Sequence, residues 1–177
     1  MDRKKFLTIV DPWGDSLPND KARFPHLASD VDSQCQLIHN QLSRLKPLFD
    51  DIIVVASGVT PHPVFDELSN IISFIEGDLA YDGQTIEKSN YLADKQDWDA
   101  WFCGFHYGRC IQGKINDIVK HYGWDYSRFH IIENLSFIFP EDEKRRLIKW
   151  DCNIEIFKNV KEYDWDYVSK FNELNEK

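Results

Sequence analysis

Short apolar runs alternate with longer amphipathic stretches along this chain. KFLTIVD (Lys5 to Asp11), IIVVAS (Ile52 to Ser57), the run from Ala100 to Phe105 and FHIIE (Phe129 to Glu133) are rich in β-branched and aromatic residues. Runs of this length without polar alternation predict strands buried on both faces, as in a parallel sheet. Between the first two, Val31, Cys35, Ile38, Leu42, Leu45 and Leu48 recur at helical spacing. Ser29 can cap that helix, and its end falls near Pro47 to Asp50. Strand, helix, strand at this spacing is a right-handed βαβ unit.

The third run feeds a second such unit. After Phe105 comes a tight turn, His106 to Arg109, and a helix opens at Cys110. Ile111, Ile115, Ile118 and Tyr122 mark its apolar stripe, and Gly123 sits where a C-cap glycine belongs. Val64 to Glu76 reads as a short helix, with Ile71 to Ile75 left unassigned, and Gly77 to Asp97 as irregular chain. A charged helix is expected from Pro140 to about Trp150, an edge strand over Asn153 to Phe157, and a terminal helix carrying Tyr167, Phe171 and Leu174. This order predicts a single domain over residues 1–177, a three-layer αβα sandwich with a mainly parallel, Rossmann-like sheet.

Composition narrows the function classes. Hydrophobic residues make up 42%, enough for a packed core rather than a disordered chain. A net charge of -9 argues against nucleic acid or anionic membrane as partner. No apolar run approaches the roughly 20 residues that cross a bilayer, and the one near the N-terminus is too short for a signal peptide. A cytoplasmic protein is the expectation. The four cysteines show no C-x-x-C spacing, and a cytosolic chain rarely carries structural disulfides. Cys35 on a helix face and Cys103 within a strand read as inert core thiols. The histidines are scattered, so no metal site is expected, and no P-loop or G-x-G-x-x-G calls for a nucleotide or other cofactor.

Cys110 differs from the other thiols in its place. It opens a helix just past a strand's carboxyl end, the edge where open α/β sheets bind ligands. Helix-terminal N–H groups and the helix dipole favour a thiolate there. Asp11 ends the first strand and reaches the same edge. A carboxylate beside a thiol can take its proton and return it to a leaving group. The plainer reading is a turn-capping Asp11 and a buried helix-start Cys110, and pattern alone leaves both open.

FLTIVDPWGD resembles the opening strand of the isochorismatase-like cysteine hydrolases, with Asp11 at its end and Asp15 four residues on. The central unit resembles that superfamily's nucleophile motif: an apolar strand, Gly104, five residues, then Cys110 and the aliphatic Ile111. Lys88 in EKSNY resembles the family's lysine, with Lys95 as competitor. The resemblance implies the fold already expected and a cysteine-dependent hydrolase of a small amide or related C–N bond. Cys110 would be the nucleophile, Asp11 the general base and Lys88 the supporting cation. The amides of Cys110 and Tyr107 would form the oxyanion hole. It also implies a small-molecule substrate and, often, a homo-oligomer.

The chain departs from the pattern around the site. Trp13 stands where the family has Gln, Ser16 where it has Phe, and the turn His106-Tyr107-Gly108-Arg109 is bulkier and more cationic. Trp13, His106, Tyr107 and Arg109 are therefore candidate substrate-binding residues: Arg suits carboxylates and phosphates, and Trp stacks on planar rings or simply packs on the core. The alternative is a non-catalytic domain of this type that binds a metabolite or partner protein. A third reading is a flavodoxin-like nucleotide-binding or regulatory domain.

Overall fold

The computed structural model describes residues 3–12, 25–55, 62–68, 72–74, 91–105, 107, 110–137 and 152–160. Six strands run parallel: β1 (Lys5–Val10), β2 (Asp51–Val55), β3 (Ile72–Phe74), β4 (Asp99–Gly104), β5 (Phe129–Ser136) and β6 (Asn153–Glu155). Their order in the sheet is β3-β2-β1-β4-β5-β6. β1 lies at the centre and the chain winds outward from it twice, once in each direction. The switch between the two directions falls between β1 and β4, and the crevice beyond their carboxyl ends is the ligand position of doubly wound sheets.

Two long helices make the outer layers. Helix α1 (Pro25–Leu45) buries Val31, Cys35, Ile38, Leu42 and Leu45 against Leu7, Ile9, Ile52, Val54 and Cys103. Helix α2 (Cys110–Tyr122) buries Ile111, Ile115 and Ile118 against Phe6, Val10, Ile53, Ala100, Phe102 and Phe129. Alternate residues of β1 thus feed opposite cores, which is why its apolar run has no polar partner face. Gly123 ends α2 with φ +66 and returns its N–H to the Val119 carbonyl at 2.9 Å, the expected left-handed cap.

The expected strands are present, with shifted ends. β4 runs from Asp99 to Gly104, β5 continues past Glu133 to Ser136, and β6 stops at Glu155. Helix α1 begins at Pro25 rather than beside Ser29, a first-turn position that proline suits. In place of the expected helix from Val64, a 3-10 turn covers Pro63–Leu68, and Ile72–Phe74 form the strand β3 on the edge beside β2. The expected helices after Pro140 and around Tyr167 lie outside the described residues. Among the described residues no helix is long and apolar enough to cross a membrane.

Burial pushes the thiols of both Cys35 and Cys103 well above the ordinary thiol range. Both hold their protons when folded and would lose them when unfolded above about pH 9. The folded state then binds more protons than the unfolded one, so stability falls as pH rises, by about 2.7 kcal/mol per pH unit for the two together. Urea midpoints between pH 8 and 10.5 should show this limb, and Cys35→Ala with Cys103→Ala should flatten it. A midpoint that holds steady to pH 10.5 would contradict it.

Candidate active site

Asp11 follows β1 directly and turns back on itself with φ +44, a left-handed conformation in which Asp is among the better tolerated side-chain-bearing residues. Its N–H donates to the Val55 carbonyl at 2.7 Å, which ties the end of β1 to the end of β2. The carboxylate is only 3% exposed. The chain beyond is also pinned: the Pro12 carbonyl accepts from the His62 N–H at 2.5 Å. The His62 ring accepts from the Val64 N–H at Nδ1 and meets Asp32 through Nε2 at 2.8 Å. Among the described residues no three of His, Cys, Asp and Glu gather closely enough to hold a metal ion.

Gly104 closes β4 with φ +101. A Cβ there would stand 2.4 Å from the Val10 carbonyl oxygen, so the two strand ends pass at a distance that only glycine permits. Immediately after it, the Phe105 N–H donates to that same Val10 carbonyl at 2.8 Å. The pairing with β5 slips between Phe102 and Gly104, and Phe137 takes up the slack. Its N–H donates to the Gly104 carbonyl, and its own carbonyl accepts from the Tyr107 N–H, both at 2.8 Å. The rings of Phe105 and Phe137 stack with centroids 5.2 Å apart. This clamp fixes the turn that delivers Cys110, half-buried, to the first position of α2.

The oxyanion hole expected from the Tyr107 amide is therefore corrected: that N–H is committed to the Phe137 carbonyl, and Tyr107 itself is buried. Asp11 and Cys110 both reach the carboxyl edge at the switch point. Lys88, Trp13, His106 and Arg109 lie outside the described residues. Lys95, the competing lysine, belongs to the opposite edge of the sheet. Its ammonium donates to the Tyr91 carbonyl and to Asp94, and lies over the Tyr91 and Trp98 rings. Tyr91 is anchored there by its hydroxyl, which donates to Asp51 at the start of β2.

One buried residue of α2 is not among the sequence candidates. Lys114, one turn after Cys110, is completely buried. Desolvation lowers its ammonium below the ordinary lysine range, while the charges of Asp11, then Cys110, then Asp117 act in the other direction. The signal was available, because Lys114 interrupts the core-facing series Ile111, Ile115, Ile118. A cavity of about 320 Å³ lined by Phe49, Trp101, Phe157 and Arg44 lies toward the other end of the sheet and takes no part in this edge.

The architecture at this point defines a class of fold: a doubly wound parallel sheet carrying an acid after β1 and a helix-opening cysteine after β4. Two crystal structures share its fold. Nicotinamidase PncA from Bacillus subtilis superposes with a TM-score of 0.55 at 15% identity, over 81% of this chain and 92% of that one. Nicotinamidase/pyrazinamidase PncA from Bacillus subtilis gives 0.58 at 13% identity, over 85% and 98%. No protein-family model matches the chain. No curated protein sequence matches it. At this identity the likeness shows the fold alone, the doubly wound sheet shared with these two nicotinamidases.

Proposed function

We propose that this protein is a cysteine-dependent hydrolase of a small amide or related C–N bond. What supports the reading is that a buried Asp11 follows β1 and Cys110 opens the helix after β4, the two strands that flank the switch point of the sheet. Asp11 takes the thiol proton, and the Cys110 thiolate attacks the carbonyl carbon. The oxyanion develops against the amide at the start of α2. The C–N bond breaks as Asp11 returns the proton to the departing nitrogen. Water, deprotonated by Asp11, then cleaves the thioester and frees the acid and the thiol. A lysine steadies the two anions, the part that the resemblance assigns to Lys88. Trp13, His106, Tyr107 and Arg109 are the substrate-recognition candidates. The whole chain acts in this reading as one cytoplasmic domain that needs only water as second reactant.

Ammonia release from a panel of small amides and ureas tests it, with nicotinamide and pyrazinamide among the first because the matched structures are named for them. Cys110→Ala is expected to lower any turnover by about 10³-fold or more. Iodoacetamide should alkylate Cys110 at neutral pH faster than a free model thiol. Alkylation no faster than that, with turnover surviving in Cys110→Ala, would remove Cys110 as the nucleophile.

A further inference from the structure

We infer that Lys114 is the positioning cation of this site, holding the Asp11 carboxylate and the Cys110 thiolate from within the nucleophile's own helix. The inference rests on the hydrolase reading above and assigns its third member.

Position comes first. Lys114 stands four residues after Cys110 on α2, so the two share one face of the helix, with Asp117 the next residue along it. Helical side chains lean toward the helix N-terminus, so a lysine here carries its ammonium back over the turn that Cys110 occupies. That end of α2 is the carboxyl edge of the sheet, where Asp11 follows β1. The direction of the chain thus takes the charge toward the site.

Burial comes second. Lys114 is fully enclosed, in a layer otherwise built from Ile111, Ile115, Ile118 and the sheet residues they meet. An ammonium there costs several kcal/mol unless anions face it, and an apolar residue of similar volume would serve the core as well or better. Negative charges act on it: that of Asp11, which follows β1, and those of Cys110 and Asp117 on its own helix. Of the carboxylates, Asp11 acts on it most strongly, although nothing in the local sequence joins the two.

The competing Lys95 is placed less well. Lys95 is bound at the opposite edge by the Tyr91 carbonyl and Asp94. A cation on the nucleophile helix serves the chemistry from the carboxyl edge of the sheet. It favours the thiolate of Cys110 and keeps the carboxylate of Asp11 turned toward it, and it gives up no proton in the cycle.

The test is the pH profile of Cys110 alkylation by iodoacetamide, which needs no substrate. Lys114→Met should move the profile to higher pH and slow the reaction at neutral pH about 10-fold, with the circular dichroism unchanged. Lys95→Met should leave the profile where it is. A wild-type Cys110 that reacts no faster than a model thiol sinks the hydrolase reading. A reactive Cys110 whose profile is unmoved by Lys114→Met, or moved only by Lys88→Met, sinks the assignment of Lys114 and leaves the hydrolase standing. Should Met at 114 fail to fold, the titration of Lys114 by NMR decides. Cys110→Ala should shift it downward, because a facing anion is gone, and an unmoved titration would overturn the inference.

Discussion

Gly104→Ala should leave little folded protein at ordinary temperature. The new Cβ would meet three backbone atoms of Val10, with the oxygen at 2.4 Å and the nitrogen at 2.9 Å. Backbone atoms cannot rotate away as a side-chain tip can. The left-handed φ of +101 adds strain of order 1–3 kcal/mol for a residue with a side chain. Relief requires β1 and β4 to part, and that pair joins the two halves of the sheet. Parting them also breaks the Phe105 to Val10 hydrogen bond and moves the turn that carries Cys110. A loss above about 4 kcal/mol is expected, a large fraction of a typical domain's 5–15 kcal/mol. Gly123→Ala is the control. It shares a positive φ but meets nothing within 4 Å, so about 1 kcal/mol is expected. Urea unfolding of the two variants measures the contrast, and equal losses would refute the close crossing of the strands.

That glycine shows why the frame of the site was legible in sequence. A buried parallel strand leaves an unbroken apolar run, so β1, β2, β4 and β5 announce themselves, and the residues at their carboxyl ends follow directly. Asp11 and the turn that leads to Cys110 stand at two of those ends. β3 does not announce itself, because Ile72–Phe74 is three residues long and too short to show a period. The Tyr107 amide was misjudged because its acceptor, Phe137, follows another strand and enters the site only through the slipped pairing of β4 with β5. Lys114 was passed over for a different reason. The period of α2 is carried by its apolar members, and a charged residue on the same face adds nothing to an apolar pattern. A lysine in a core-facing series is an exception that burial makes costly, and it carries more information than the isoleucines around it. Lys95 follows the order of the chain, yet the structure holds the segment from Tyr91 to Trp98 at the far edge.

Asp11→Asn should separate chemistry from architecture. Asparagine has nearly the same shape and tolerates the left-handed conformation at φ +44, so the backbone bond to Val55 can persist. The amide cannot take a proton from the thiol. Turnover of any substrate should therefore fall by about 10²–10⁴-fold. Stability should fall as well, because the strongest counter-charge of the buried Lys114 is lost and its ammonium is driven further below the ordinary lysine range. Breaking one side of a buried ion pair costs on the order of 3–5 kcal/mol, whereas removing both sides is often close to neutral. Asp11→Asn combined with Lys114→Met should then be more stable than Asp11→Asn alone, while remaining as inactive. Urea denaturation of the four members of this cycle reads the interaction energy directly. A double variant whose losses simply add would show that the two charges do not face each other. Turnover unchanged in Asp11→Asn would remove the carboxylate from the mechanism.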